Sequence, residues 1–151
     1  ISFVMLPIML MAIRWGLTAG LATGFIIGVL QMMFGAFIVH WLQAILDYGL
    51  AFTVVGLVAI IRNPVLQAAK ALDKKKMTIY IILGALLGGT LRFVSHLLAG
   101  VVFFSEYAGE DNVWTYSIIY NGSYMLPATL LTALVAVLLF TAAPRLLKSM
   151  K

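Results

Sequence analysis

Asp47, Arg92 and His96 lie within apolar stretches long enough to cross a bilayer. A charge at membrane depth is costly, so such groups face a bundle interior or a ligand cavity and mark function. The Asp47 carboxylate can accept hydrogen bonds from a ligand or neutralise a cation. It can equally form a structural ion pair with Arg92, since burying one charge without the other costs several kcal/mol. His96 lies four residues after Arg92, on the same helix face. As a neutral imidazole it can hydrogen-bond or stack against a ligand, or simply fill the interior. A metal site needs several His, Cys or carboxylate ligands. The other histidine is His40, expected near the membrane surface, and there is no cysteine. No metal centre and no disulfide are expected.

Aromatic residues concentrate toward one side of the membrane: Phe37, Trp41, Phe103, Phe104, Tyr107, Trp114, Tyr116, Tyr120 and Tyr124. The other side has little beyond Trp15 and Tyr80. Some of the cluster belongs to the interfacial belt that membrane proteins carry. The asymmetry argues that part of it builds a pocket. Aromatic faces together with a carboxylate suit a flat cationic ligand, through stacking and cation–π attraction. The chain lacks the H-E-x-x-H, G-x-S-x-G and G-x-x-x-x-G-K-[ST] patterns. An enzyme using Asp47 and His96 as acid and base would lack a nucleophile or metal motif, so no catalytic residue is assigned. No ATP site is expected in this chain.

The elements that position these groups are membrane helices. Of 151 residues 64% are apolar and only 10% charged, with a mean hydropathy of +1.10. An ordinary soluble domain is about half apolar and a quarter charged. The net charge is +5, yet the basic residues form no stripe suited to nucleic acid; they read as loop charges facing a lipid bilayer. Five apolar spans are visible, at about 1–13, 16–34, 37–61, 77–104 and 118–143. The expected fold is a single all-α domain over 1–151, a polytopic transmembrane helical bundle. The first span is short for the roughly 20 residues a crossing needs, so it is expected to be truncated, tilted or interfacial. The chain also begins at Ile1 within apolar sequence, so an upstream helix is expected, making six.

Alternating spans put Arg14, Arg62, Lys70, Lys74, Lys75, Lys76, Arg145, Lys148 and Lys151 on one side, nine of the ten basic residues. That side is expected to be cytoplasmic. The opposite loop, 105–117, holds Glu106, Glu110 and Asp111 and no Lys or Arg. Asp47 falls about 15 Å and His96 about 12 Å below the outer ends of their spans at 1.5 Å per residue. Asn121 is near the outer end of the fifth span, so the polar groups can converge in the outer half. Gly16, Gly20, Gly24 and Gly28 form a G-x-x-x-G ladder for close helix packing, and Gly84, Gly88 and Gly89 read similarly. Pro127 is expected to kink the fifth span. The Asn121-Gly122-Ser123 sequon is rejected because it opens a helix.

Four segments, LTAGLATGFIIGVLQ, LQAILDYGLAFTVVGLVAII, YIILGALLGGTLRFVSHLLAGVVFF and VWTYSIIYNGSYMLP, carry a resemblance. From about Arg14 to the basic tail the chain resembles the thiamine-specific substrate-binding (S) components of energy-coupling factor (ECF) vitamin transporters. The resemblance implies six helices, an outward-side thiamine pocket and no ATPase. It implies docking on an energising module, a transmembrane coupling protein with two ATP-binding subunits that use the ATP. In that family transport is proposed to involve toppling of the whole subunit. The family's pocket carboxylate falls on Asp47, where Glu is usual, followed by Tyr48. Its histidine falls on His96. An aromatic that is often Trp falls on Phe104, and the Tyr and Asn of Y-x(4)-N-G fall on Tyr116 and Asn121. Trp114 is a further stacking candidate, and another family Trp would precede Ile1. The expected localisation is the bacterial cytoplasmic membrane. Alternatives are an S component for another vitamin or pyrimidine precursor, or a proton-coupled transporter of aromatic cations using Asp47.

Overall fold

The apolar spans assemble into a helical bundle in the computed structural model, which describes residues 3–35 and 37–147. The described residues hold no strand and five principal helices. These are α1 (Met5–Trp15), α2 (Leu17–Met33), α3 (Trp41–Lys70), α4 (Lys74–Phe103) and α5 (Val113–Ala142). The last three are each 30 residues long and apolar enough to cross a membrane. α1 and α2 are shorter, at 11 and 17 residues.

Capping chemistry shifts several ends from the positions that hydropathy suggests. α3 starts at Trp41 rather than near 37, because His40 Nδ1 accepts the Leu42 N–H. It continues beyond the apolar run to Lys70, so the stretch between the third and fourth apolar spans is mostly helix with a short link. Pro64 is tolerated there in the first turn of the α-helical stretch Arg62–Lys70. Asp73 caps α4 through Lys76 N–H. Asn112 caps α5 through the N–H groups of Trp114 and Thr115, so the helix begins five residues before the apolar run. α5 then runs unbroken through Pro127, which lies in its middle. Lys148 and Lys151 of the basic tail lie outside the described residues.

The glycine ladder works in three of its four positions. Gly20, Gly24 and Gly28 are buried on α2 and face Gly56, Phe52 and Tyr48 of α3. Each step of four along α2 is thus answered by a step of four back along α3. A Cβ on Gly24 or Gly28 would overlap the carbonyl of Phe52 or Tyr48. Gly16 does something else: at φ +105° it breaks the chain between α1 and α2, a conformation that L side chains rarely adopt. On α4, Gly84 and Gly88 meet Val58, Ile61 and Val55 of α3, while Gly89 meets Thr129 of α5.

α1, though short, packs into the interior of the bundle. Its Met5, Ile8, Met9 and Ile13 are buried in a core with Val55, Val58, Val65, Met77, Ile81 and Phe140. The outer surface is apolar as well: Leu126, Leu130, Leu134 and Leu138 form an exposed ridge along α5. Such a face suits lipid. At the basic end, Arg14 donates to the Leu146 carbonyl at 2.9 Å and Arg62 to the Arg14 carbonyl at 3.2 Å. The core fills the half of the bundle next to these arginines. The other half opens into a cavity.

Candidate functional site

The cavity has a volume of about 430 Å³, within the range of about 300–1,000 Å³ typical of small-molecule sites. It lies where α2 and α4 end and α3 and α5 begin, opposite the basic residues. Asp47 and Tyr48 come from α3, Arg92 and His96 from one face of α4, and Phe104 from the cap just past its end. Tyr116, Tyr120, Asn121 and Tyr124 come from α5. Gln31, Phe37, Phe52, Gly100, Tyr107 and Ser117 complete the wall.

Asp47 sits in a stretch, Ile45–Leu50, wound as a π-helix. Such wide turns recur at functional sites. Hydroxyls from outside the turn serve its carbonyls: Ser95 donates to Leu46 at 2.5 Å and Thr53 to Gly49 at 2.6 Å. The Asp47 carboxylate is held from both sides. His96 Nδ1 lies 2.8 Å from Oδ1, and Gln43 Nε2 donates to Oδ2 at 2.7 Å. Arg92 Nε donates to His96 Nε2 at 3.1 Å. A guanidinium only donates, so Nε2 must accept, and the imidazole proton sits on Nδ1, facing Asp47.

The expected ion pair between Asp47 and Arg92 is therefore corrected. Among the described residues the salt-bridge partner of Asp47 is His96, and Arg92 bonds to that ring rather than to the carboxylate. The two charges sit on helices that meet at the histidine, which bridges them. The guanidinium stacks instead over the Phe52 ring, 4.6 Å from its centroid, a cation–π arrangement.

The remaining surface is a cage of rings. Tyr116 stacks on Tyr120, and Tyr120 meets Tyr124 edge-on. Tyr124 and Phe52 approach His96 edge-on from two sides. At the mouth Phe37 stacks on Phe104 at 5.9 Å, and Tyr107 tilts against Phe104. Asn121 is buried; its amide donates to the Ser117 carbonyl and hydroxyl, both at 3.0 Å, and its oxygen accepts from Tyr124 at 2.6 Å. It braces α5 as well as lining the cavity, and its burial leaves the sequon inaccessible.

Asp47, Tyr48, His96, Phe104, Tyr116 and Asn121 thus share one cavity. Trp114 does not: it is half exposed in the first turn of α5 and outside the lining. Tyr116 and Tyr120, two and six residues further along α5, line the cavity instead. Phe52 and Gln43 were not singled out by the sequence. Gln43 had a signal, four residues before Asp47 in L-Q-A-I-L-D. Phe52 had none, because a regular helix would put it about 140° around from Asp47. The π-helical turn brings it to the same side.

The family model described as thiamine transporter protein matches residues 1–148. The chain belongs to the thiamine transporter protein family. It is 40% identical over 153 residues to Thiamine transporter ThiT of Bacillus subtilis, a match covering all of this chain and 80% of that protein. Identity to Thiamine transporter ThiT of Lacticaseibacillus paracasei is 36% over 151 residues, covering 97% and 75% of the two chains. The solved structure of ThiT from Listeria monocytogenes aligns with a TM-score of 0.91 at 30% identity, over 99% of this chain and 82% of that one. Membership makes this a helical, membrane-embedded transport protein of the thiamine S-component type, not an enzyme.

Proposed function

We propose that the cavity captures thiamine from outside the cell, as the first step of ATP-driven import. The observation that carries this reading is a fixed carboxylate inside an aromatic cage. Thiamine has a permanently cationic thiazolium and a flat aminopyrimidine. Asp47 supplies compensating charge and hydrogen-bond acceptors, and a carboxylate with two oxygens has lone pairs to spare after Gln43 and His96. Tyr116, Tyr120 and the Phe37–Phe104 pair offer faces for stacking and cation–π attraction. Arg92 lies deep and Phe104 at the mouth, three turns apart on α4. Like charges repel, so Arg92 disfavours a cation at the deep end, and the Asp47 carboxylate beside His96 offsets that repulsion.

With no nucleotide motif in the chain, energy comes from a partner: a transmembrane coupling protein with two ATP-binding subunits. The basic end faces the cytoplasm, by the excess of Lys and Arg in its short loops, and the cavity faces outward. Calorimetric titration of the purified protein with thiamine, riboflavin and biotin tests the ligand. Tight, saturable and thiamine-selective binding is the expected result; preference for another vitamin, or no binding by folded protein, overturns it. Transport in vesicles containing the energising module and ATP, but not in vesicles with a pH gradient alone, tests the coupling.

A further inference from the structure

We infer that Gln43 is a positioning residue that sets ligand affinity through Asp47, a role that rests on the thiamine reading of the cavity. Gln43 is 1% exposed and does not line the cavity. Each half of its amide is committed. Nε2 donates to Asp47 Oδ2 at 2.7 Å and to the Phe37 carbonyl at 3.1 Å, and Oε1 accepts the Val39 N–H at 3.0 Å. The reversed amide would turn its oxygen toward a carboxylate and a carbonyl, so the geometry admits one orientation.

The same side chain therefore grips two things a ligand must meet. One is the carboxylate. The other is the strap between α2 and α3, whose Phe37 reaches Phe104 at the mouth and whose Phe37 N–H is held by the Tyr48 hydroxyl at 3.0 Å. Asp47 is thereby held between His96 on Oδ1 and Gln43 on Oδ2 rather than by His96 alone. Asparagine is too short for this bridge, and glutamate cannot donate from a carboxylate.

The test is a double-mutant cycle on thiamine affinity with wild type, Gln43→Met, Asp47→Asn and the double variant. Gln43→Met is expected to weaken binding about tenfold, the size of losing a hydrogen bond to a charged group. In the Asp47→Asn background the same change is expected to cost less than about twofold. Equal losses in both backgrounds, or none in wild type, overturn the inference, because a packing role does not depend on the charge of residue 47. Thermal unfolding of the same four ligand-free proteins gives a second cycle if Asp47→Asn binds too weakly to measure. Non-additive shifts support the coupling and additive shifts overturn it. If Gln43→Met does not fold, Gln43→Leu, which also removes the donor without adding charge, replaces it with the same expectation. Failure of the wild type to bind thiamine would instead sink the underlying reading, and with it this one.

Discussion

The two halves of α3 are built on opposite principles. Val54–Ile61 is wound tightly as a 3-10 helix and buries Val55, Gly56, Val58 and Ile61 against α1, α2 and α4. Ile45–Leu50 is wound loosely and buries none of its residues fully. The tight half gains apolar contact and backbone proximity. The loose half gives up packing to leave room, and restores its order with polar bonds to Ser95, His96 and Gln43. A bundle of this size thus separates its duties along the membrane normal. One half supplies cohesion, and the other holds a site whose walls are fixed by hydrogen bonds.

The largest expected effect lies where the two principles touch. Gly28→Val drives a side chain into the Tyr48 carbonyl. It is expected to cost about 3 kcal/mol or more and to appear as loss of monodisperse protein on size exclusion. Normal folding of that variant would break the claim that backbone proximity holds α2 to α3.

Asp47→Ala probes the cavity half alone. It is expected to lower thiamine affinity roughly 100-fold, about 3 kcal/mol, while the protein still purifies as a folded species. Calorimetry that finds unchanged affinity would remove Asp47 from the site. Phe104→Ala, at the mouth, is expected to cost about 1 kcal/mol of binding, and Phe104→Trp to tighten it, since the larger ring offers a better cation–π face. Ser95→Ala removes the hydroxyl that serves the loosened turn. Its expected cost is about 1 kcal/mol of stability, read as a lower melting temperature. Trp114→Leu closes the series. Its ring is exposed and outside the cavity, so affinity is expected to change by less than about twofold. A large loss there would return Trp114 to the site.

Much of this architecture was legible from residue types alone. The cost of charge in an apolar span singled out Asp47, Arg92 and His96, and the side-to-side imbalance of aromatic rings pointed to the end where the cavity opens. Glycine spacing foretold close helix packing at Gly20, Gly24 and Gly28, though not that α3 is the partner, and Gly16 turned out to be a chain break. What escaped were features that depend on neighbours distant in sequence. Hydropathy cannot see caps, so the starts of α3 and α5 were displaced toward the apolar runs. Opposite charges on two spans suggested a direct Asp47–Arg92 pair, but the relative depth of α3 and α4 put His96 between them.

The sequence by itself determined the class of environment: apolar spans force helices in lipid, because backbone groups have no other partners there, and rare polar residues within them must face inward. Tertiary structure decided which polar residues meet. A helix of uniform pitch would carry Phe52 away from Asp47 and leave Gln43 an ordinary neighbour. The widened turn at Ile45–Leu50 forms where α2 presses Gly28 against Tyr48 and Ser95 takes up the Leu46 carbonyl. That local pitch is set by contacts across the bundle, whose energies no single segment contains.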